Sequence, residues 1–139
     1  LTIVSASLQA TMTLATNDNI DIIQLGGMVR HSSVSVVGQY SMEILRGCSF
    51  TKLFLGVDGI DLDFGISTTD MREAELNRSM MNAAQKTIVL ADSSKFGRRG
   101  FAKISGLEDI DIIITDAKIP QFIANKIGEM GIELIIAGS

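Results

Sequence analysis

Four short segments carry the residues that could do chemistry, and each closes an apolar run. Ser5 and Ser7 end the first run, Gly26 and Gly27 the second, Asp58 and Gly59 the third, and Asp92, Ser93, Ser94 and Lys95 the fourth. Glycines let backbone N–H groups approach an anion closely. Serine hydroxyls donate, Lys95 brings positive charge, and a carboxylate such as Asp58 accepts from sugar hydroxyls. Together these types suit a small phosphorylated polyol. Arg30 and Glu73 complete the candidate set.

Each candidate also has a plainer structural role open to it. Asp58-Gly59 is a common turn pair. Gly26-Gly27 forms a tight turn as readily as a phosphate cradle. Lys95, Arg98, Arg99 and Lys103 read equally as a solvated basic loop. Asp92 can cap the turn that follows it. Glu73 stands three residues after Asp70, as in a capping box with Asp in the cap role. Arg30 and His31 suit the surface, and no second histidine or cysteine motif makes His31 part of a metal site. Cys48 reads as a small apolar core residue. The sequence has no GxGxxG after a strand and no GxxxxGK[ST], so nucleotide sites lack their fingerprint and no cofactor is expected. A GxSxG nucleophile elbow is missing too.

The elements that must position these residues alternate between two periodicities. Leu53–Val57 is a short apolar run of the kind a parallel sheet buries on both faces, and is taken as the central strand. Similar runs at Leu1–Ser5, Ile20–Leu25, Thr87–Ala91, Ile110–Thr115 and Glu133–Ala137 predict further strands. Helical spacing joins Leu8, Met12 and Ala15 behind a Ser7 cap. It also joins Tyr40, Ile44, Leu45 and Cys48 ahead of Gly47; Leu76, Met80, Ala83 and Ala84 behind Asp70; and Ile123, Ile127 and Met130 between Pro120 and Gly131. Residues 28–37 and 64–68 look extended and are expected to pair as a small side β-ribbon. Strand–helix alternation predicts an α/β fold: a mainly parallel sheet flanked by helices, a Rossmann-like sandwich, in one domain over 1–139. In such sheets ligands bind at the carboxyl ends of the strands, where the four candidate segments fall.

Composition bounds the partners. With 46% apolar and 20% charged residues in 139, the chain is globular rather than disordered. No apolar run approaches the roughly 20 residues of a spanning helix, so no membrane partner is expected. A single cysteine fits a reducing, cytoplasmic setting. A net charge of −4, no tryptophan and 5% aromatics disfavour nucleic-acid binding by these residues themselves.

Three phrases together resemble the effector-sensing domain of DeoR-family bacterial transcription regulators: Gln24-Leu-Gly-Gly-Met-Val-Arg30, Phe54-Leu-Gly-Val-Asp-Gly-Ile-Asp61 and Leu90-Ala-Asp-Ser-Ser-Lys-Phe-Gly97. Val37-Gly38, Gly65-Ile-Ser-Thr68 and Ile114-Thr-Asp116 fit the same pattern. The resemblance implies a fold similar to ribose-5-phosphate isomerase and glucosamine-6-phosphate deaminase. It further implies a sugar phosphate or related metabolite as ligand, a homo-oligomer, and operator DNA contacted only through an N-terminal helix-turn-helix domain absent from this chain. The family usually opens this domain with an Asp-Ser-Gly-Thr-Thr-like loop that helps bind phosphate. That loop would precede Leu1, so the domain is expected to be truncated at its N-terminal edge. The related isomerases use acids with a lysine or similar group for proton transfer. Asp58 resembles the acid position and Glu73 could be a second, but residues 59–72 offer only Arg72 as a base, and arginine stays protonated. The expectation is therefore a binding domain rather than an enzyme, with a sugar-phosphate isomerase or deaminase relative as the alternative.

Overall fold

Residues 1–138, which the computed structural model describes, pack as two compact units, Leu1–Cys48 and Ser49 onward. In the first unit, Thr2–Ser5 (β1) and Asp21–Gln24 (β2) form a parallel pair connected through Leu8–Leu14 (α1). Ser7 caps α1 as its type predicts, its hydroxyl accepting from the Ala10 N–H at 3.1 Å. The inward face of α1 differs from the spacing argument. Met12 is 74% exposed and Ala15 exposed, whereas Leu8, Thr11 and Leu14 are half-buried. A polar bond draws Thr11 inward: its hydroxyl donates to Oε1 of Gln24.

Met28–Arg30 (β3) and Ser35–Val37 (β4) pair antiparallel. Gln39–Arg46 (α2) follows and ends at the expected Gly47 cap. Ser41 and Leu45 are its buried residues, and Tyr40 and Ile44 lie exposed, a second helix face that spacing misassigned. Ser41 is held inward by a bond to the Gly26 carbonyl at 2.6 Å. Leu25, Val36, Val37 and Leu45 are the buried apolar side chains of this unit.

The second unit contains Phe50–Gly56 (β5), Gly59–Asp61 (β6), Gly65–Thr68 (β7), Met71–Ala83 (α3) and Ala84–Leu90 (β8). It continues with Ala102–Ser105 (β9), Ile112–Thr115 (β10), Gln121–Glu129 (α4) and Glu133–Ile136 (β11). β11, β10, β8 and β5 form a four-stranded parallel sheet in that order. The chain thus moves steadily across the sheet, and right-handed crossovers of that kind put successive helices on one face. The core agrees with this. Leu55, Val89 and Ile113 from the strands pack with Ala74 of α3 and with Ile123 and Ile127 of α4. The fold is α/β, mainly parallel and Rossmann-like, and each unit also carries a small antiparallel sheet, β3–β4 in the first and β6–β7–β9 in the second.

Three expectations change here. The run Leu53–Val57 belongs to an edge strand of the four-stranded sheet, not a central one, and Phe54 is 60% exposed. Its apolar composition reflects one buried face, carrying Leu55 and Val57, and one open face. The side ribbon is two separate sheets. Residues 28–30 pair with 35–37, while β7 pairs with β6 and β9, so Gly59–Asp61 is a strand rather than the tail of a turn. Finally, α3 ends at Ala83 and Ala84 opens β8; α3 buries Ala74, Leu76 and Asn77, and Met130 caps α4 while exposed.

Candidate functional site

The parallel register brings three aspartates to one level. Gly56 pairs with Leu90, and Leu90 pairs with Ile114. Asp58, Asp92 and Asp116 each stand two residues beyond such a rung, at the carboxyl ends of the adjacent strands β5, β8 and β10. A cavity of about 350 Å³ opens at this edge, lined by Gly56, Val57, Asp58, Glu73, Leu90, Ala91, Asp92 and Lys95. All eight belong to the second unit.

Local structure orients the Asp58 and Asp92 carboxylates and places Glu73 and Lys95 by their backbone. Asp58 leaves β5, donates its N–H to the Ser67 carbonyl at 3.0 Å, and accepts at Oδ2 from the Thr68 hydroxyl at 2.9 Å. Thr68 is 1% exposed, so its side chain has little freedom. Asp70 caps α3 by accepting from the N–H groups of Arg72 and Glu73, which sets Glu73 in the first helical turn beside the cavity. Asp92 caps a 3₁₀ turn, Ser93–Lys95, accepting from the Ser94 N–H at 2.9 Å and from the Ser94 hydroxyl. The Ser94 hydroxyl and then its N–H hold the Asp92 carboxyl below the ordinary carboxylate value.

The turn is tied down at both ends. The Ser93 N–H donates to Oδ2 of Asp116 at 2.8 Å. Further on, the Gly97 N–H donates to the Ile60 carbonyl at 2.7 Å and the Gly100 N–H to the Ser67 hydroxyl at 2.7 Å. The Ser93 N–H, followed by the Lys118 N–H, lowers the Asp116 pKa.

Of the sequence candidates, Asp58, Glu73, Asp92 and Lys95 therefore share one cavity. Ser93 lies in the same turn, with its N–H turned to Asp116. Gly59 is buried in β6, outside the lining; a Cβ there would stand 2.5 Å from the Arg98 carbonyl. In the first unit, Ser5 and Ser7 meet at the end of β1. The Ser5 hydroxyl donates to the Ser7 carbonyl and accepts from the Ser7 N–H, each at 3.0 Å. Gly26 and Gly27 follow β2, and Gly27 sits at φ 150° with the Val37 carbonyl where a Cβ would go, a close backbone approach that glycine allows. Arg30, in β3, donates from Nη2 to the Ser32 hydroxyl at 2.9 Å. Thr68 and Asp116 were not among the site candidates, although both belong to phrases that stand out in the sequence. Among the described residues no cluster of histidine, cysteine and carboxylate side chains has the makings of a metal site.

Chemically, residues bearing three carboxylates and one ammonium line the cavity. Hydroxyl groups find acceptors there, and an anionic group finds Lys95. The fold and this edge define an α/β domain with a polar cavity at the carboxyl ends of its parallel strands, the usual ligand position in such sheets.

Residues 1–117 match the sequence model of the DeoR C terminal sensor domain, and the chain belongs to that family. It is 40% identical over 121 residues to a protein of Escherichia coli O157:H7 named "Putative aga operon transcriptional repressor", a match covering 87% of this chain and 45% of the relative. It is 34% identical over 117 residues to an uncharacterized HTH-type transcriptional regulator, YulB, of Bacillus subtilis, covering 84% of this chain and 45% of that protein. A glycerol-3-phosphate regulon repressor of Haemophilus influenzae is 26% identical over 136 residues, covering 98% of this chain and 52% of the repressor. The chain spans about half the length of the curated relatives it matches. Among the described residues no helix is long and apolar enough to cross a membrane.

Proposed function

We propose that this chain is the effector-sensing domain of a DeoR-type regulator of sugar metabolism and that its ligand is a phosphorylated sugar. One observation carries the reading. Asp58, Glu73, Asp92 and Lys95, contributed by a strand end, a helix first turn, a second strand end and a 3₁₀ turn, line a single cavity. Asp58 and Glu73 accept from sugar hydroxyls, and Lys95 pairs with the anionic group. The volume, about 350 Å³, suits a small metabolite. The names of the relatives support a regulatory role, and one of them names a three-carbon polyol phosphate. On this reading operator DNA is contacted by a helix-turn-helix domain outside these residues, and ligand binding changes operator occupancy.

The test is a melting series, followed by circular dichroism, with glycerol 3-phosphate and the 1- and 6-phosphates of common hexoses. A cognate ligand at a hundredfold excess over Kd stabilises the fold by about 2.7 kcal/mol. Asp58→Ala and Lys95→Ala each lose most of that gain while staying folded. An unchanged gain in both variants removes these residues from the site.

The placement of Lys95 also favours a second reading. Residues 59–72 supply no proton-transferring base, but Lys95 lines the cavity with Asp58 and Glu73. That set could serve an isomerase or deaminase relative. Turnover of an aldose phosphate or an amino-sugar phosphate by the chain, lost in Lys95→Ala, would establish it.

A further inference from the structure

We infer that Asp116 is a positioning residue for the ligand cavity: from the tip of β10 it holds the 3₁₀ turn that presents Lys95. The inference rests on the sensor-site reading above. Asp116 is not itself part of the cavity lining, yet its Oδ2 accepts the Ser93 N–H at 2.8 Å, two residues before Lys95. Its other oxygen is engaged by the Lys118 N–H at 2.9 Å, so the carboxylate is fixed from its own loop as it grips the neighbouring one.

On that side the other tie to β10 is the Ala91 N–H on the Ile114 carbonyl at 3.1 Å, one residue before the Asp92 cap. Within it, the Lys95 N–H reaches the Asp92 carbonyl at 3.1 Å and the Phe96 N–H reaches the Ser93 carbonyl at 3.3 Å. These bonds shape the turn but attach it to nothing else. Beyond Lys95 the anchor is the Ile60 carbonyl, which the Gly97 N–H meets. Ser93–Gly97 is therefore a short span hung between β10 and β6, with Lys95 in its middle. Without the Asp116 carboxylate, Ala91 is the last residue held to β10, and the turn from Ser93 to Lys95 loses its own tie to that strand.

A residue that merely supported the fold would lower the melting temperature and leave ligand affinity alone, or weaken it equally in every background. A positioning residue acts through Lys95, so its effect disappears when Lys95 is gone. The experiment is a double-mutant cycle on the 139-residue chain. Wild type, Asp116→Ala, Lys95→Ala and the double variant are titrated calorimetrically with the hexose phosphate or glycerol 3-phosphate that binds wild type tightest. Amide hydrogen exchange at Ser93–Phe96 is measured on the ligand-free proteins. Asp116→Ala is expected to weaken binding at least fivefold in the native background and less than twofold in the Lys95→Ala background. Exchange at Ser93–Phe96 is expected to quicken about tenfold. Equal losses in both backgrounds, or native affinity in Asp116→Ala, overturn the positioning role and leave the site reading standing. Failure of wild type to bind any of these compounds overturns the site reading and this inference with it.

Discussion

Replacing Thr68 with valine tests whether the cavity depends on how Asp58 is oriented. The substitution keeps the volume of a side chain that is 1% exposed and removes only the hydroxyl that donates to Oδ2 of Asp58 at 2.9 Å. Hydrogen bonds to charged groups contribute about 1.5–3 kcal/mol. Asp58 is exposed, so water replaces part of the lost donor and the net effect falls to about 1 kcal/mol. Expressed in the bound state alone, that is about a fivefold weaker Kd. Expressed in folding, it lowers Tm by roughly 3–5 °C for a chain of this size. Thr68→Ser is the control: it keeps the donor and gives up a methyl group, which costs about 1 kcal/mol of packing. Calorimetric titration with the tightest-binding sugar phosphate should therefore show up to about fivefold weakening in Thr68→Val, with whatever part of the roughly 1 kcal/mol is not lost in binding appearing as a lower Tm, and near-native affinity in Thr68→Ser, which melts a few degrees early. Native affinity in Thr68→Val, or equal weakening in both variants, refutes the claim that the hydroxyl aims the carboxylate.

Acid should weaken the fold in a defined window. Asp61 is held below the ordinary carboxylate value first by the Phe64 N–H, with the Arg99 guanidinium at 3.2 Å adding to it, and Asp92 and Asp116 are lowered by the donors described above. A depressed native pKa contributes stability that is complete above the unfolded value, near 4, and vanishes as pH falls through the native one. Urea melts from pH 6 to pH 3 should be flat at first and then decline below about pH 4; stability that grew toward pH 3 would contradict these assignments. Gly59→Ala should destabilise by about 1–3 kcal/mol, because its Cβ would meet the Arg98 carbonyl at 2.5 Å and the Ser67 hydroxyl at 2.8 Å. A urea midpoint equal to wild type would show that the Arg98 segment yields freely.

Strand ends were legible in the sequence because an apolar run that stops on Asp, Gly or Ser needs no knowledge of its neighbours. That logic picked out Asp58, Asp92 and Lys95, which line the cavity, while Glu73, also in the lining, came in as a second acid position implied by the family resemblance, its spacing from Asp70 pointing only to a helix cap. What depended on neighbours was not legible. Leu53–Val57 has the composition of a central strand, but composition cannot say on which side a partner lies. Gly59–Asp61 is three residues long and begins with glycine, so it reads as a turn until β7 pairs with it. Helix faces failed for a related reason. Thr11, Ser41 and Asn77 turn inward, Thr11 and Ser41 on specific polar bonds, while Met12, Tyr40, Ile44 and Met130 remain outside. Thr68 and Asp116 act across 10 and 23 positions of chain, a separation that local spacing does not encode.

The open face of β5 bears on how the protein can be studied. Register places Phe54 on the same side of the four-stranded sheet as Leu90 and Ile135, and these three are 60%, 42% and 40% exposed. A hydrophobic fluorophore such as anilinonaphthalene sulfonate will adsorb to that surface at room temperature, before any unfolding has begun. Its emission will start high and change little on heating, so a dye-based melt would report a folded sample as molten.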